Sequence, residues 1–167
     1  MPVSINYSYK DNNKTSTKKV FFANEKLNVN HLKKYLSNDE LSYVNDLIRN
    51  NHDIKKNIFT FDVSSKNKII LVSIKNNLKR SDLENLGAEF FNYINKEKNS
   101  EYVIFSDSMV GNYDNFLGYF LHGCKLKSYE FKKYKTKKEK KIISININGN
   151  KNKTSAQNQL KFKALEE

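Results

Sequence analysis

Segments with the pattern of β-strands alternate with segments that have the pattern of amphipathic helices along most of the chain. The strongest strand signal is the unbroken apolar run at residues 69–72, which is typical of a strand covered on both faces. Apolar residues at helical spacing precede and follow this run, in stripes that begin at Leu41 and Leu83. A buried strand between helices constrains the chain to a layered α/β domain.

The order of these segments predicts a mixed sheet of about six strands with helices on both faces. Strands are predicted at residues 3–9, 18–23, 59–63, 69–72, 102–105 and 143–147. The first two are separated by a polar turn, so we expect them to form a hairpin. Helices are predicted at residues 30–36, from Ser37, from Ser81, and at residues 117–126.

Local signals refine the helices. Ser37 with Glu40, and Ser81 with Glu84, have the spacing of capping boxes, in which each residue bonds a free backbone N–H of the other. Gly87 falls inside a predicted helix, where glycine costs up to about 1 kcal/mol relative to alanine. A close backbone contact at Gly87 would offset that cost.

Length and cysteine content limit the class of protein. The 167 residues are enough for one domain with a hydrophobic core. Cys124 is the single cysteine, which excludes a disulfide framework and a cysteine-rich zinc site and favours the reducing cytoplasm. The sequence has no secretory signal at its start and no apolar run of the roughly 20 residues that span a bilayer. We therefore expect a cytoplasmic protein without membrane contact.

The charge is strongly positive, at +12, but only two of the 30 basic residues are arginines. Base and phosphate recognition usually recruits arginine, so the excess of lysine indicates at most weak, salt-sensitive binding to nucleic acid. Residues 125–141 contain nine lysines and two glutamates, with aromatic residues interleaved. This pattern suits stacking of bases on rings, but also rings packed on the domain with lysines in solvent. The candidate polyanion contacts are Lys132, Lys133, Lys137 and Lys138.

Residues suited to metal or ligand chemistry are few. His122 and Cys124 supply too few ligands for a metal site, and nothing activates them as a catalytic pair, so Cys124 is interpreted as a core residue. Gly111 lies between a strand and a helix, where α/β proteins place ligand loops, but no glycine-rich phosphate motif surrounds it. Asp107 ends a strand and has no evident partner in the sequence.

Residues 116–136 resemble a segment of the N-terminal domain of the leucyl (cytosol) aminopeptidase family. In that family a helix ends in a glycine, followed by a leucine and a Tyr-x-Phe-x-x-Tyr-Lys-Thr run. These places are filled here by Gly123, Leu126, Tyr129, Phe131, Tyr134, Lys135 and Thr136. A looser likeness covers the strand at 69–74 and the helix at 81–94. The family's catalytic signature, Asn-Thr-Asp-Ala-Glu-Gly-Arg, does not occur in this sequence.

The resemblance implies a macro-domain-like α/β fold over residues 1–153, with residues 154–167 beginning a linker helix toward a catalytic domain absent from this chain. Complete members of the family are two-metal exopeptidases, using zinc or manganese, that release N-terminal residues and usually form homo-hexamers. The chain itself would carry no cofactor or peptidase activity, and would act in assembly and in access to the active site.

Two other functions stay open. One is a lysine-rich module that binds nucleic acid through residues 125–141. The other is a ligand-binding macro-like domain with Gly111 at its cleft, which the missing glycine-rich phosphate loops disfavour.

Overall fold

The computed structural model describes residues 3–7, 18–50, 56–64, 67–96, 100–111, 115–129 and 143–149. These residues form one six-stranded sheet, three α-helices and two short 3-10 turns. The strands are β1 (Val3–Asn6), β2 (Lys18–Asn24), β3 (Ile58–Asp62), β4 (Lys68–Ile74), β5 (Ser100–Phe105) and β6 (Ile143–Asn148). The helices are α1 (Asn38–Asn50), α2 (Arg80–Ile94) and α3 (Phe116–Ser128), and the 3-10 turns are Asn30–Lys34 and Ser106–Ser108.

The strand order is β1-β6-β5-β2-β4-β3. All neighbours run parallel except β3, which pairs antiparallel with β4. Residues 69–72 lie on β4 and are at most 2% exposed, as the unbroken apolar run predicts. The mixed α/β sheet is therefore confirmed, and its most apolar strands lie inside it because only there are both faces covered.

The predicted hairpin of the first two strands is wrong. β1 pairs in parallel with β6, the last strand, while β2 lies between β5 and β4. The sheet is mixed because of β3, not because of a hairpin at the start of the chain. Only Val3 of β1 is buried, whereas β2 buries four consecutive residues, so β1 suits an edge and β2 suits the interior.

Helices cover both faces of the sheet, as expected. On one face α2 and α3 pack over a core that includes Val20, Phe22 and Ile70. On the other face α1 and the 3-10 turn Asn30–Lys34 pack against Phe21 and Leu71. The alternation of Phe21 and Phe22 between the two cores follows from the two-residue repeat of a strand.

The capping box at Ser37 is confirmed. The Ser37 backbone N–H donates to the Glu40 carboxylate at 2.9 Å, and the Glu40 N–H donates to the Ser37 hydroxyl at 3.2 Å. The box predicted at Ser81 is wrong, because α2 already begins at Arg80. The Asp82 carboxylate accepts from the Lys79 N–H at 2.8 Å instead.

α2 and α3 touch through their backbones at Gly87 and at Gly123. A Cβ on Gly87 would lie 2.8 Å from the Phe120 carbonyl carbon and 3.1 Å from the Cys124 nitrogen. A Cβ on Gly123 would lie 2.7 Å from the Cα of Glu84. The distances of 2.8 Å and 2.7 Å are too short for a Cβ, so this crossing requires glycine at both positions. The close contact expected at Gly87 is therefore present.

α3 runs two residues beyond its predicted end, to Ser128. The apolar residues that predicted this helix are buried. They are Leu117, Phe120, Leu121 and Cys124, each at most 2% exposed. Within the described ranges, no helix is long and apolar enough to cross a membrane. The proposed linker helix at residues 154–167 lies outside the described residues, so the division of the chain at residue 153 stays a prediction.

Candidate functional site

The sheet has a natural ligand position where β2 and β5 diverge at their carboxyl ends. β2 leads to the 3-10 turn and α1 on one face, whereas β5 leads to α3 on the other. In α/β proteins a ligand-binding crevice commonly lies at such a place. The recorded pairing of β2 with β5 ends at Val20 and Ile104, and the turn Ser106–Ser108 follows directly after β5.

In this protein two buried serines of that turn fill this place. The Ser108 hydroxyl accepts from the Phe22 N–H at 3.0 Å and donates to the Phe105 carbonyl at 2.6 Å. The Ser106 hydroxyl donates to the Asn148 carbonyl at 3.0 Å, which ties β5 to β6. Ser106 and Ser108 are 2% and 1% exposed, so Ser108 holds the turn against β2 and Ser106 holds it against β6. Neither serine was predicted from the sequence, although a Ser-Asp-Ser run directly after a buried strand is a signal for such a turn.

Asp107 is the middle residue of this turn, and the structure places other residues near it although the sequence shows no evident partner. A Cβ on Gly149, whose φ is +114°, would lie 2.9 Å from an Asp107 carboxylate oxygen. Lys34 is also near: a hydrogen bond with Tyr35 raises the pKa of Lys34, and the Asp107 charge adds to that rise. Gly111 lies in the loop between β5 and α3, where the sequence placed it, and has a φ of +108°. Its role in binding a ligand stays a prediction.

His122 and Cys124 are both buried on α3. The His122 Nδ1–H donates to the Glu84 carboxylate on α2 at 2.9 Å, beside the contact of Gly123 with the α2 backbone. Glu84 thus joins two helices, where the sequence predicted a cap. Burial raises the pKa of the Cys124 thiol to about 12, so the thiol stays protonated at neutral pH and behaves as a core residue. No group of three or more His, Cys, Asp or Glu residues that could hold a metal occurs among the described residues.

The end of α3 presents apolar side chains to solvent. Leu126 is 51% exposed and Tyr129 is 62% exposed, between Lys125 and the end of the described segment. Ser128 is buried between them, and its hydroxyl donates to the Lys125 carbonyl at 2.7 Å. We call Leu126 and Tyr129 the α3 end patch.

The residues of the aminopeptidase motif therefore fall into separate roles where the structure describes them. Gly123 is a buried packing contact, whereas Leu126 and Tyr129 face solvent. The other motif residues, Phe131, Tyr134, Lys135 and Thr136, lie outside the described residues. The same holds for the candidate polyanion contacts Lys132, Lys133, Lys137 and Lys138.

Comparison with known proteins shows the fold. No protein-family model and no curated protein matches the sequence. The chain is similar in structure to a mutant of tomato leucine aminopeptidase, with a TM-score of 0.60 and 13% identity over 96% of this chain and 35% of that one. It is also similar to the macrodomain of Thermus aquaticus DarG, with a TM-score of 0.55 and 8% identity over 88% of this chain and 99% of that one.

These likenesses confirm a macrodomain-like α/β fold. The chain spans about a third of the length of the tomato enzyme, so this likeness of structure is to a part of that protein. At 13% and 8% identity the two comparisons show the fold alone. Function depends on the residues of the site, because one fold supports many functions.

Proposed function

We propose that this chain acts as a non-catalytic N-terminal domain of the leucyl aminopeptidase type, and that it docks on a catalytic metallopeptidase domain. Its role there is in assembly and in access to the active site. The observation that carries the proposal is the aminopeptidase-like fold, which spans 96% of this chain but only 35% of the tomato enzyme. The resemblance in residues 116–136 supports it independently, because it was recognised from sequence motifs.

The α3 end patch is the proposed docking contact. Single exposed apolar residues are common, but Leu126 and Tyr129 are two large ones within one helical turn, and both are motif positions. Covering each side chain would contribute about 1 kcal/mol, since complete burial of such a side chain is worth roughly 1.5–3 kcal/mol and each is already partly covered. Lys125 and Lys127 flank the patch and would favour an acidic rim on the partner.

The proposal assigns catalysis to the partner domain. Two divalent ions, zinc or manganese, need several carboxylates in one cavity, and the described residues offer no such group. A hexameric enzyme would then carry one copy of this domain for each catalytic domain.

The first experiment asks whether the chain hydrolyses peptides. Purified protein is incubated with leucine p-nitroanilide and added manganese or zinc, and nitroaniline release is followed by absorbance. We expect release equal to that of a blank containing the metal alone. Release that depends on the protein and stops on adding a chelator would contradict the non-catalytic role.

The second experiment asks what covers the α3 end patch. A photo-crosslinking amino acid replaces Leu126 in the source cells, and the matched control replaces Tyr43, an aromatic on α1 that is 42% exposed. We expect cross-links to a metallopeptidase catalytic domain from position 126 only. Cross-links that never include such a domain would contradict the proposal. The intact mass of the native product, compared with 19.6 kDa, shows whether that domain lies on the same polypeptide.

Nucleic-acid binding is the second candidate. The observation in its favour is the exposed Tyr129 ring beside Lys127 at the start of the lysine-rich stretch, an arrangement in which a base can stack. The test replaces four lysines with glutamine, namely Lys132, Lys133, Lys137 and Lys138. The control removes the same charge elsewhere, at Lys26, Lys33, Lys75 and Lys79. Binding to single-stranded DNA should weaken steeply with salt and disappear only in the first variant.

A further inference from the structure

β3 is an edge strand whose outer side is not paired within the described residues. It pairs with β4 on one side, and a groove of about 600 Å³ runs along it between α1 and α2. Leu47 and Ile48 of α1 form one wall, and Tyr93 and Lys96 form the other at α2. An edge strand presents backbone N–H and C=O groups that can pair with another chain.

The pairing register shows which backbone groups face the groove. The Asn57 carbonyl accepts from the Ser73 N–H at 2.8 Å, and the Val63 N–H donates to the Asn67 carbonyl at 2.9 Å. In an antiparallel pair such bonded positions alternate, so Phe59 and Phe61 also bond β4. Ile58 and Thr60 therefore direct their N–H and C=O groups outward.

The far end of the strand agrees with this alternation. The Tyr43 hydroxyl on α1 donates to the Asp62 carbonyl at 3.2 Å, so that carbonyl also points away from β4. On the α2 side, the Thr60 hydroxyl donates to the Tyr93 hydroxyl and fixes the strand against that wall. The outward groups of Ile58 and Thr60 are thus held in the extended geometry that a further strand requires.

The charged residues at the rim of the groove along β3 indicate which kind of chain would bind there. Lys56 and Lys96 line the groove together with one carboxylate, that of Glu89, so basic side chains outnumber acidic ones among its lining residues. Two copies of this chain, each at +12, would repel one another and bring both pairs of lysines together along a shared edge. A segment with acidic ends complements this rim.

We propose that β3 captures an extended segment of a partner protein as a seventh strand, with apolar or β-branched residues at alternate positions and acidic residues at its ends. Backbone bonds to Ile58 and Thr60 supply affinity, and the walls select the side chains. This docking is separate from the α3 end patch, so either proposal can fail without the other.

The probe is a labelled peptide with a Thr-Val-Thr-Val-Thr core and two glutamates at each end. Binding is measured by fluorescence anisotropy, and amide hydrogen exchange is followed by NMR. We expect the Ile58 and Thr60 amides to become protected on adding peptide. The Phe59 and Phe61 amides, already bonded to β4, should change little. Protection without this alternation would overturn the proposal.

Two substitutions at one position separate backbone bonding from side-chain contact. Thr60→Pro and Thr60→Val both remove the bond to Tyr93, but only proline removes the outward N–H. We expect the proline variant to bind about tenfold more weakly than the valine variant, as suits the loss of one bond. Equal affinities would overturn the proposal. Should the proline variant fail to fold, peptides N-methylated on either edge replace it, and only methylation of the edge facing β3 should abolish binding.

Two further outcomes would also overturn the proposal. One is no binding of the peptide at concentrations up to about 1 mM. The other is protection of Ile58 and Thr60 that rises with protein concentration in the absence of peptide, accompanied by dimers in sedimentation. That result would make a second copy of this chain the occupant.

Discussion

The two helical layers of this protein are built differently. On one side α2 and α3 meet backbone to backbone at Gly87 and Gly123, over a cluster of phenylalanine rings. On the other side α1 lies beside β3 with a groove between them, and Phe59 is only partly buried. The side covered by α2 and α3 has buried most of its apolar surface in folding, except at the α3 end patch. The two proposed contacts use that patch and the groove along β3.

The side of the sheet covered by α2 and α3, here called the closed side, is packed through several aromatic ring contacts. Phe120 lies 5.6 Å from Phe22, 5.3 Å from Phe90 and 5.9 Å from Phe116, measured between ring centroids. Aromatic pairs at such distances add about 0.5–1.5 kcal/mol each beyond their buried area. The other side, here called the open side, also has close ring pairs, among them Phe21 with Phe105 at 4.8 Å. The closed side nevertheless has the larger group of buried residues within the described part of the chain, so it should contribute more to the free energy of unfolding.

The largest expected difference between the two sides comes from truncating one phenylalanine on each. Phe120→Ala should lower the free energy of unfolding by about 3–5 kcal/mol, because it opens a cavity in a buried ring cluster. Phe59→Ala should cost roughly 1–2 kcal/mol, because part of that side chain already faces solvent. Urea unfolding measures both. Similar losses would show that the open side is as essential to stability as the closed one.

Gly123→Ala tests the backbone contact itself. The added methyl would press on the α2 backbone at Glu84, so the helices must separate, and the free energy of unfolding should fall by about 2–3 kcal/mol. Asn85→Ala, an exposed position on α2, is the matched control and should gain about 0.5 kcal/mol from helix propensity. Thermal unfolding of the two variants distinguishes them. A stabilised Gly123→Ala would mean that the helices do not touch there.

Alkaline pH should lower the free energy of unfolding through Cys124, which is buried on the closed side. Its pKa is raised from 9.0 to about 12 in the folded protein. Between these values the unfolded chain has lost the thiol proton and the folded chain has kept it. Stability should therefore fall with rising pH by about 1.4 kcal/mol per unit from this residue. The Cys124→Ala variant lacks this contribution, so urea titrations of both proteins between pH 9 and 11 should diverge. Parallel curves would show that the thiol is accessible to solvent in the fold.

The smallest effect concerns the open side. Ser37→Ala removes the hydroxyl that accepts from the Glu40 N–H at the start of α1, which should cost about 1 kcal/mol. Ser42→Ala, exposed on the same helix, should cost nothing. Hydrogen exchange of the α1 amides is the sharper measurement, because it reports local opening. Unchanged exchange in Ser37→Ala would show that packing against the sheet, not the cap, holds this helix.

Local patterns predicted most of the elements. The apolar run at residues 69–72 became the buried strand β4, and the spacing after Ser37 became α1 with its capping box. Gly87 was correctly expected to make a close backbone contact, because a glycine inside a helix needs an offsetting gain. These predictions rest on the pattern of residues a few positions apart, even where the contact itself, as at Gly87, is with a distant helix.

Long-range pairing was predicted less well. The strands predicted at residues 3–9 and 18–23 were expected to form a hairpin because a polar turn separates them. In the structure β1 pairs instead with a strand more than 130 residues away. The partnership of Glu84 with His122 was also missed, since each residue has a plausible local role and they lie 38 residues apart. In the candidate site, the sequence identified Gly111 and Asp107 at the carboxyl edge of the sheet. It missed the two buried serines of the turn that follows β5.

The sequence by itself determined the α/β class, the burial of β4 and the position of most helices, because period and capping are local properties of a chain. Only the tertiary structure decided that β3 is an open edge, that Gly123 is a packing contact, and that Leu126 and Tyr129 face solvent. Each of these depends on which elements become neighbours. Which elements become neighbours depends on burying the apolar faces of all helices and strands together, and no short stretch of sequence encodes that arrangement.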